Sequence, residues 1–84
     1  MLITRYPPSE FIKSYMRYNH ISQLELARAT NIDLGMIKGI LNNKVPITLE
    51  IANKLELSIG GHSQTWLRLQ NDYNEYLKRK ENRE

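Results

Sequence analysis

The sequence predicts an all-α protein of about five helices. Three observations carry this expectation. Apolar residues recur at three- and four-residue spacing in successive segments, and no segment alternates apolar and polar residues as a half-buried strand would. The segments also open on residues suited to helix capping: Ser9, Ser22, Asp33, Thr48 and Ser63.

The first helix is expected after Pro7 and Pro8, with Ser9 as its cap and Phe11, Ile12, Tyr15 and Met16 on one face. Asn19 and His20 interrupt it. "SQLE", Ser22 to Glu25, has the form of a capping box, in which side chain and backbone satisfy each other's orphan donors. Leu24, Leu26 and Ala27 follow, and "TNID" closes this short second helix, since Asn31 tolerates a left-handed turn. Asp33 is suited to cap a third helix that buries Ile37, Ile40 and Leu41 and exposes Leu34, Gly35, Met36 and Lys38. "NNK" ends it, with Asn43 as the left-handed residue.

Val45, Pro46 and Ile47 form an extended bridge to a fourth helix, capped by Thr48, with Glu50 in its first turn and Ile51, Ala52, Leu55 and Ile59 inward. Gly60 and Gly61 stop it. Ser63 begins a longer fifth helix, with Trp66, Leu69 or Gln70, Tyr73 and Leu77 on one face. The 84 residues therefore divide into an arm at 1–8, one helical domain at 9–77 and a charged tail at 78–84 that is expected to fray.

Composition narrows the function. There are no cysteines, which excludes disulfides and thiolate metal sites. Apolar runs are far shorter than the ~20 residues that cross a bilayer, and Arg5, Pro7 and Pro8 interrupt any signal-peptide core. Cytoplasmic residence without membrane contact is the expectation. The net charge of +3 lies wholly in residues 1–49, which hold six basic and three acidic residues, whereas residues 50–84 hold six of each. That asymmetry points to an anionic partner for the front half. His20 and His62 stand apart from other ligand types, and no catalytic triad, carboxylate pair or Gly-rich phosphate loop is present. The sequence thus suggests neither an enzyme nor a bound cofactor.

A capped short helix, a tight turn and a second short helix over Ser22 to Leu41 follow the helix-turn-helix plan, with Ala27 where the helices cross, Asn31 in the turn and Ile37 as anchor. An ordinary αα-hairpin shares these features. "SQLELARATNI" followed by "MIKGILNNK" resembles the Cro/repressor (XRE) class, whose fold is lambda-repressor-like. "ITLEIANKLELSIG", "WLRLQNDY" and "PPSEFI" further resemble the HigA-type antitoxins, so the likeness runs from Pro8 to Tyr73. Asn31 and Asn43 stand where the class prefers Gly. "GGHSQT" replaces a Gly-Thr-Ser-Pro-Glu-Phe-like segment, so a looser start to the fifth helix is expected.

The resemblance implies a bacterial homodimer that binds a palindrome in its own promoter, nucleoid-associated when DNA-bound. It also implies neutralisation of a RelE-like, HigB-type toxin that cleaves mRNA. Carried onto this chain, Ser22 and Gln23 would contact phosphate, and Asp33, Leu34, Gly35, Met36 and Lys38 would enter the major groove. Asn43 and Lys44 would close the clamp, while Trp66, Leu67, Leu69, Gln70 and Tyr73 would serve core and dimer packing. Blander roles stay open: Gln23, Lys38 and Lys44 as solvated surface, and Asn43 as a helix cap. The apolar face of Leu34, Gly35 and Met36 leaves open a protein-interaction module on the same fold, and the neighbouring gene would tell either reading from a phage Cro-type regulator without a toxin.

Overall fold

The computed structural model describes residues 7–82. Its helices are α1 (Pro8–Asn19), α2 (Gln23–Thr30), α3 (Leu34–Leu41), α4 (Leu49–Ile59) and α5 (Ser63–Asn82), with no strand among the described residues. The arm at residues 1–6 and Arg83 and Glu84 of the tail lie outside the described residues.

Local chemistry sets most helix ends. Ser22 Oγ accepts the Glu25 N–H at 3.1 Å while Glu25 Oε1 accepts the Ser22 N–H at 2.8 Å, completing the capping box. Asp33 caps α3 by accepting the Gly35 N–H at 2.9 Å, and Thr48 caps α4 by accepting that of Ile51 at 3.3 Å. Three successive helices end on left-handed residues that are not glycine: His20 (φ 55°), Asn31 (φ 58°) and Asn43 (φ 61°). After α3 the Asn43 N–H reaches the Ile40 carbonyl at 3.1 Å and the Lys44 N–H that of Gly39 at 2.8 Å, which is a Schellman closure.

Ser9 does not cap α1. Pro7 occupies that position without a side-chain bond, and Pro8 opens the helix, where its fixed φ fits and its missing N–H would have had no partner. Ser9 is instead buried, and its hydroxyl donates to Asn43 Oδ1 at 2.6 Å.

Every helix feeds one core: Ile12 from α1, Leu26 and Ala27 from α2, Ile37, Ile40 and Leu41 from α3, Ile51, Ala52 and Leu55 from α4, and Trp66 from α5. Fully burying a leucine such as Leu26 or Leu55 contributes about 2 kcal/mol. Phe11 and Leu24, expected on inner faces, are both 46% exposed, because α1 turns Pro8, Ser9 and Ile12 inward and α2 turns Leu26, Ala27 and Thr30. Helix α4 packs on α2 and α5, and α1 on α3 and α5, so the α2–α3 pair is braced from behind.

Two further expectations fail. The start of α5 is tied down, not loose: the Ser63 N–H donates to Glu56 Oε1 at 2.7 Å and the Trp66 indole N–H to the Gly60 carbonyl at 3.1 Å. The tail is helical through Asn82, since Lys, Arg and Glu are strong helix formers that continue the preceding turns.

Candidate nucleic-acid interface

The α2–α3 pair carries the features that a groove-entering helix requires. Asn31, in the left-handed conformation, turns the chain while its N–H and that of Ile32 both reach the Ala27 carbonyl. Ala27 is buried, and Ile37 is 2% exposed and holds α3 in the core. Lys54 Nζ donates to the Asn31 carbonyl at 3.1 Å and Ser58 Oγ to that of Ala29 at 2.7 Å, so α4 fixes the end of α2.

The exposed side of α3 differs from expectation at its first residue. Leu34 is half-buried and packs against the core, leaving Met36, 42% exposed, and Lys38 as the outward side chains of the middle of the helix. The reason is tertiary: Leu34 lies at the junction of α3 with the inner helices, where apolar surface is buried. Gly35 also has a local explanation. A Cβ there would lie 3.0 Å from Asp33 Oδ2, so the glycine leaves room for the carboxylate that caps the helix.

Polar groups cluster at the two ends of the pair. Ser22 and Gln23 are exposed at the start of α2, and Asn42, Asn43 and Lys44 after α3. Ser22 Oγ serves the cap as acceptor, which leaves its O–H to donate outward. The bond from Ser9 occupies Asn43 Oδ1 and leaves the amide Nδ2 as donor. Among the described residues the ion pairs are Lys13–Glu10 and Lys54–Glu50, so Lys38 and Lys44 carry unpaired charge.

The remaining nominated residues support the scaffold. Trp66 is 7% exposed, and Leu67 and Leu69 pack against the core. Gln70 accepts the Ile47 N–H at 2.8 Å and so pins the extended bridge that follows Lys44. Tyr73 stacks on Tyr76 with centroids 6.1 Å apart. Sequence spacing passed over Gly39. A Cβ there would fall 2.5 Å from Val45 Cγ2, and this close approach is what lets the chain fold back after α3. The "NNKV" that follows was the available signal, since a left-handed end folds the next residues over the last turn.

Among the described residues no helix is long and apolar enough to cross a membrane, and no group of three His, Asp or Glu is placed to hold a metal. The fold and the α2–turn–α3 geometry define a helix-turn-helix protein of the Cro/repressor class. The chain is 36% identical to the uncharacterized HTH-type transcriptional regulator YddM of Escherichia coli (strain K12) over 64 residues, covering 76% of this chain and 68% of the relative. A HigA-family addiction module antidote protein from Coxiella burnetii superposes with a TM-score of 0.82 at 26% identity, over 96% of this chain and 87% of that one. No family model matches the sequence. The chain belongs to the helix-turn-helix transcriptional regulators, and its fold matches that of a HigA-family antidote protein.

Proposed function

We propose that this protein is an antitoxin and transcriptional autorepressor that binds operator DNA as a homodimer and neutralises a RelE-like toxin. The observation that carries the reading is the placement of donors and unpaired cations at both ends of a braced helix-turn-helix. Ser22 and Gln23 bind one stretch of phosphate backbone, α3 enters the major groove, and Asn43 and Lys44 grip the backbone beyond it. In a homodimer the two copies of α3 meet half-sites one helical turn, ~34 Å, apart. The likeness to a HigA-family antidote supports the toxin partner, and that to YddM supports the regulatory role. The protein works in the cytoplasm and joins the nucleoid when DNA-bound.

The rival reading, a protein-interaction module that does not read operators, drew on an apolar outer face of α3. With Leu34 half-buried against the core, the exposed apolar side chain of that face is Met36. Binding of a duplex from the gene's own upstream region, followed by gel shift at varied salt, tests the proposal. Lys44→Ala should weaken binding across all sequences and lower the salt slope by about one. A folded protein that shifts no DNA at low salt refutes the repressor role. Failure to co-purify with the product of the adjacent gene refutes the antitoxin role.

A further inference from the structure

An open cleft lies beside the candidate interface, between the last turns of α1, the start of α2 and the end of α3. Its polar lining is Lys13, Arg17, His20, Gln23 and Asn42, with the buried Leu41 among its apolar residues, and among the described residues no carboxylate lines it. Lys13 and Arg17 stand one turn apart, a spacing that places side chains on the same face of a helix. The partners of both cations are exposed. Lys13 meets Glu10 at 3.6 Å with both side chains substantially exposed, a pair that water and salt readily exchange. Arg17 Nη2 donates to the exposed Ser14 hydroxyl at 3.3 Å, which leaves the rest of its planar donor fork.

The front-half charge surplus thus has an address beyond α3, in a cleft lined by donors and lacking acceptor carboxylates. Such a lining suits an oxyanion that accepts bidentate bonds from a guanidinium, as a phosphodiester does. Gln23 identifies which one, because it lines this cleft and also heads the proposed DNA contact at the start of α2. Arg17 and Lys13 line the same cleft as Gln23, within reach of a phosphate held there.

We infer that the α1–α2 cleft holds a backbone phosphate of the bound DNA, with Lys13 and Arg17 as an anchor separate from the α3 end. The inference rests on the DNA-binding reading above. It extends the footprint to α1 and is independent of base sequence.

Fluorescence anisotropy of the full chain, with labelled duplexes of the upstream region and of a scrambled sequence at 50–200 mM salt, tests it. The K13Q/R17Q double variant should lower the slope of log K against log salt by about 0.9 on both duplexes, the share of one phosphate contact. Across that fourfold salt range the affinity of the variant should therefore fall about 3.5-fold less than that of the parent. Arg17→Lys, which keeps the charge, should retain the parental slope, and melting curves should stay unchanged because both positions are at the surface. If Lys44→Ala lowers the slope but K13Q/R17Q leaves affinity and slope intact, the cleft is not a DNA anchor, while the DNA-binding reading stands. Loss of a protein partner with unchanged DNA isotherms overturns the inference equally. A parent that binds neither duplex at 50 mM salt removes both proposals together.

Discussion

Asn43 combines two properties with opposite consequences for stability, and glycine substitution separates them. It holds a left-handed backbone at φ 61°, and its Oδ1 accepts the hydroxyl of Ser9, which is 1% exposed, at 2.6 Å. His20 shares the first property, at φ 55°, but its side chain is exposed to solvent. A left-handed conformation costs an L-residue about 1–2 kcal/mol, less for Asn, and glycine avoids that strain. Glycine also has more unfolded-state freedom to lose, about 0.5–1 kcal/mol. His20→Gly should therefore stabilise by about 0.5 kcal/mol, raising Tm by about 2–4 °C for a domain of this size.

Asn43→Gly gains less from the backbone and strands the buried Ser9 hydroxyl, which costs about 1–3 kcal/mol. The balance is destabilising by about 1 kcal/mol, a fall in Tm of about 4–8 °C. Thermal melts followed by circular dichroism, with urea titrations for ΔG, measure both. Ser9→Ala in the Asn43→Gly background should remove most of the penalty, since no orphaned donor is left. If Asn43→Gly stabilises as His20→Gly does, the Ser9 bond contributes nothing and the reasoning is refuted.

Two other substitutions probe the fold behind α3. Gly39→Ala drives a methyl group to within 2.5 Å of Val45 Cγ2, so it should destabilise by about 1–3 kcal/mol, read as a lowered urea midpoint. Gln70→Ala leaves the part-buried Ile47 N–H without its acceptor and should cost about 1–2 kcal/mol. Faster amide exchange at Ile47 itself checks that the loss is local, whereas uniform acceleration across the chain points to a different cause.

The helix order, the capping box at Ser22, the turn at Asn31 and the cap at Asp33 were all legible in the sequence. Each depends on atoms within four residues along the chain, where residue type nearly dictates geometry. The misreadings involve partners farther away. Ser9 looks like a cap until Asn43, 34 residues on, takes its hydroxyl. The start of α5 looks loose until Glu56 meets the Ser63 N–H and the Trp66 indole closes on Gly60. Leu34 looks exposed on a helical wheel, but a wheel carries no information about where neighbouring helices sit. At the candidate interface, sequence identified the donors at each end. It gave Gly35 only a groove-facing role and passed over Gly39, and the clearances at Asp33 and Val45 are visible only once those residues are placed.

These clearances bear on how the proposed interface discriminates between sequences. On the outer face of α3, Leu34 is half-buried against the core, and Gly35 offers no side chain. Lys38 is then the one hydrogen-bonding side chain exposed between Leu34 and Leu41, with Met36 beside it for apolar contact. Base edges are discriminated chiefly by hydrogen bonds of matching pattern, and a single lysine on a flexible stem makes few of them. By contrast, the exposed Ser22, Gln23, Asn43 and Lys44 would donate to phosphate on the proposed reading, with Lys13 and Arg17 of α1 in the adjoining cleft. On the DNA-binding reading, the molecule grips the backbone at several points and reads bases at few. Its selectivity then comes from whether a duplex can present its phosphates to all those points at once, which depends on groove width and bendability. Two copies would sharpen that demand, because both half-sites must satisfy it at a fixed separation.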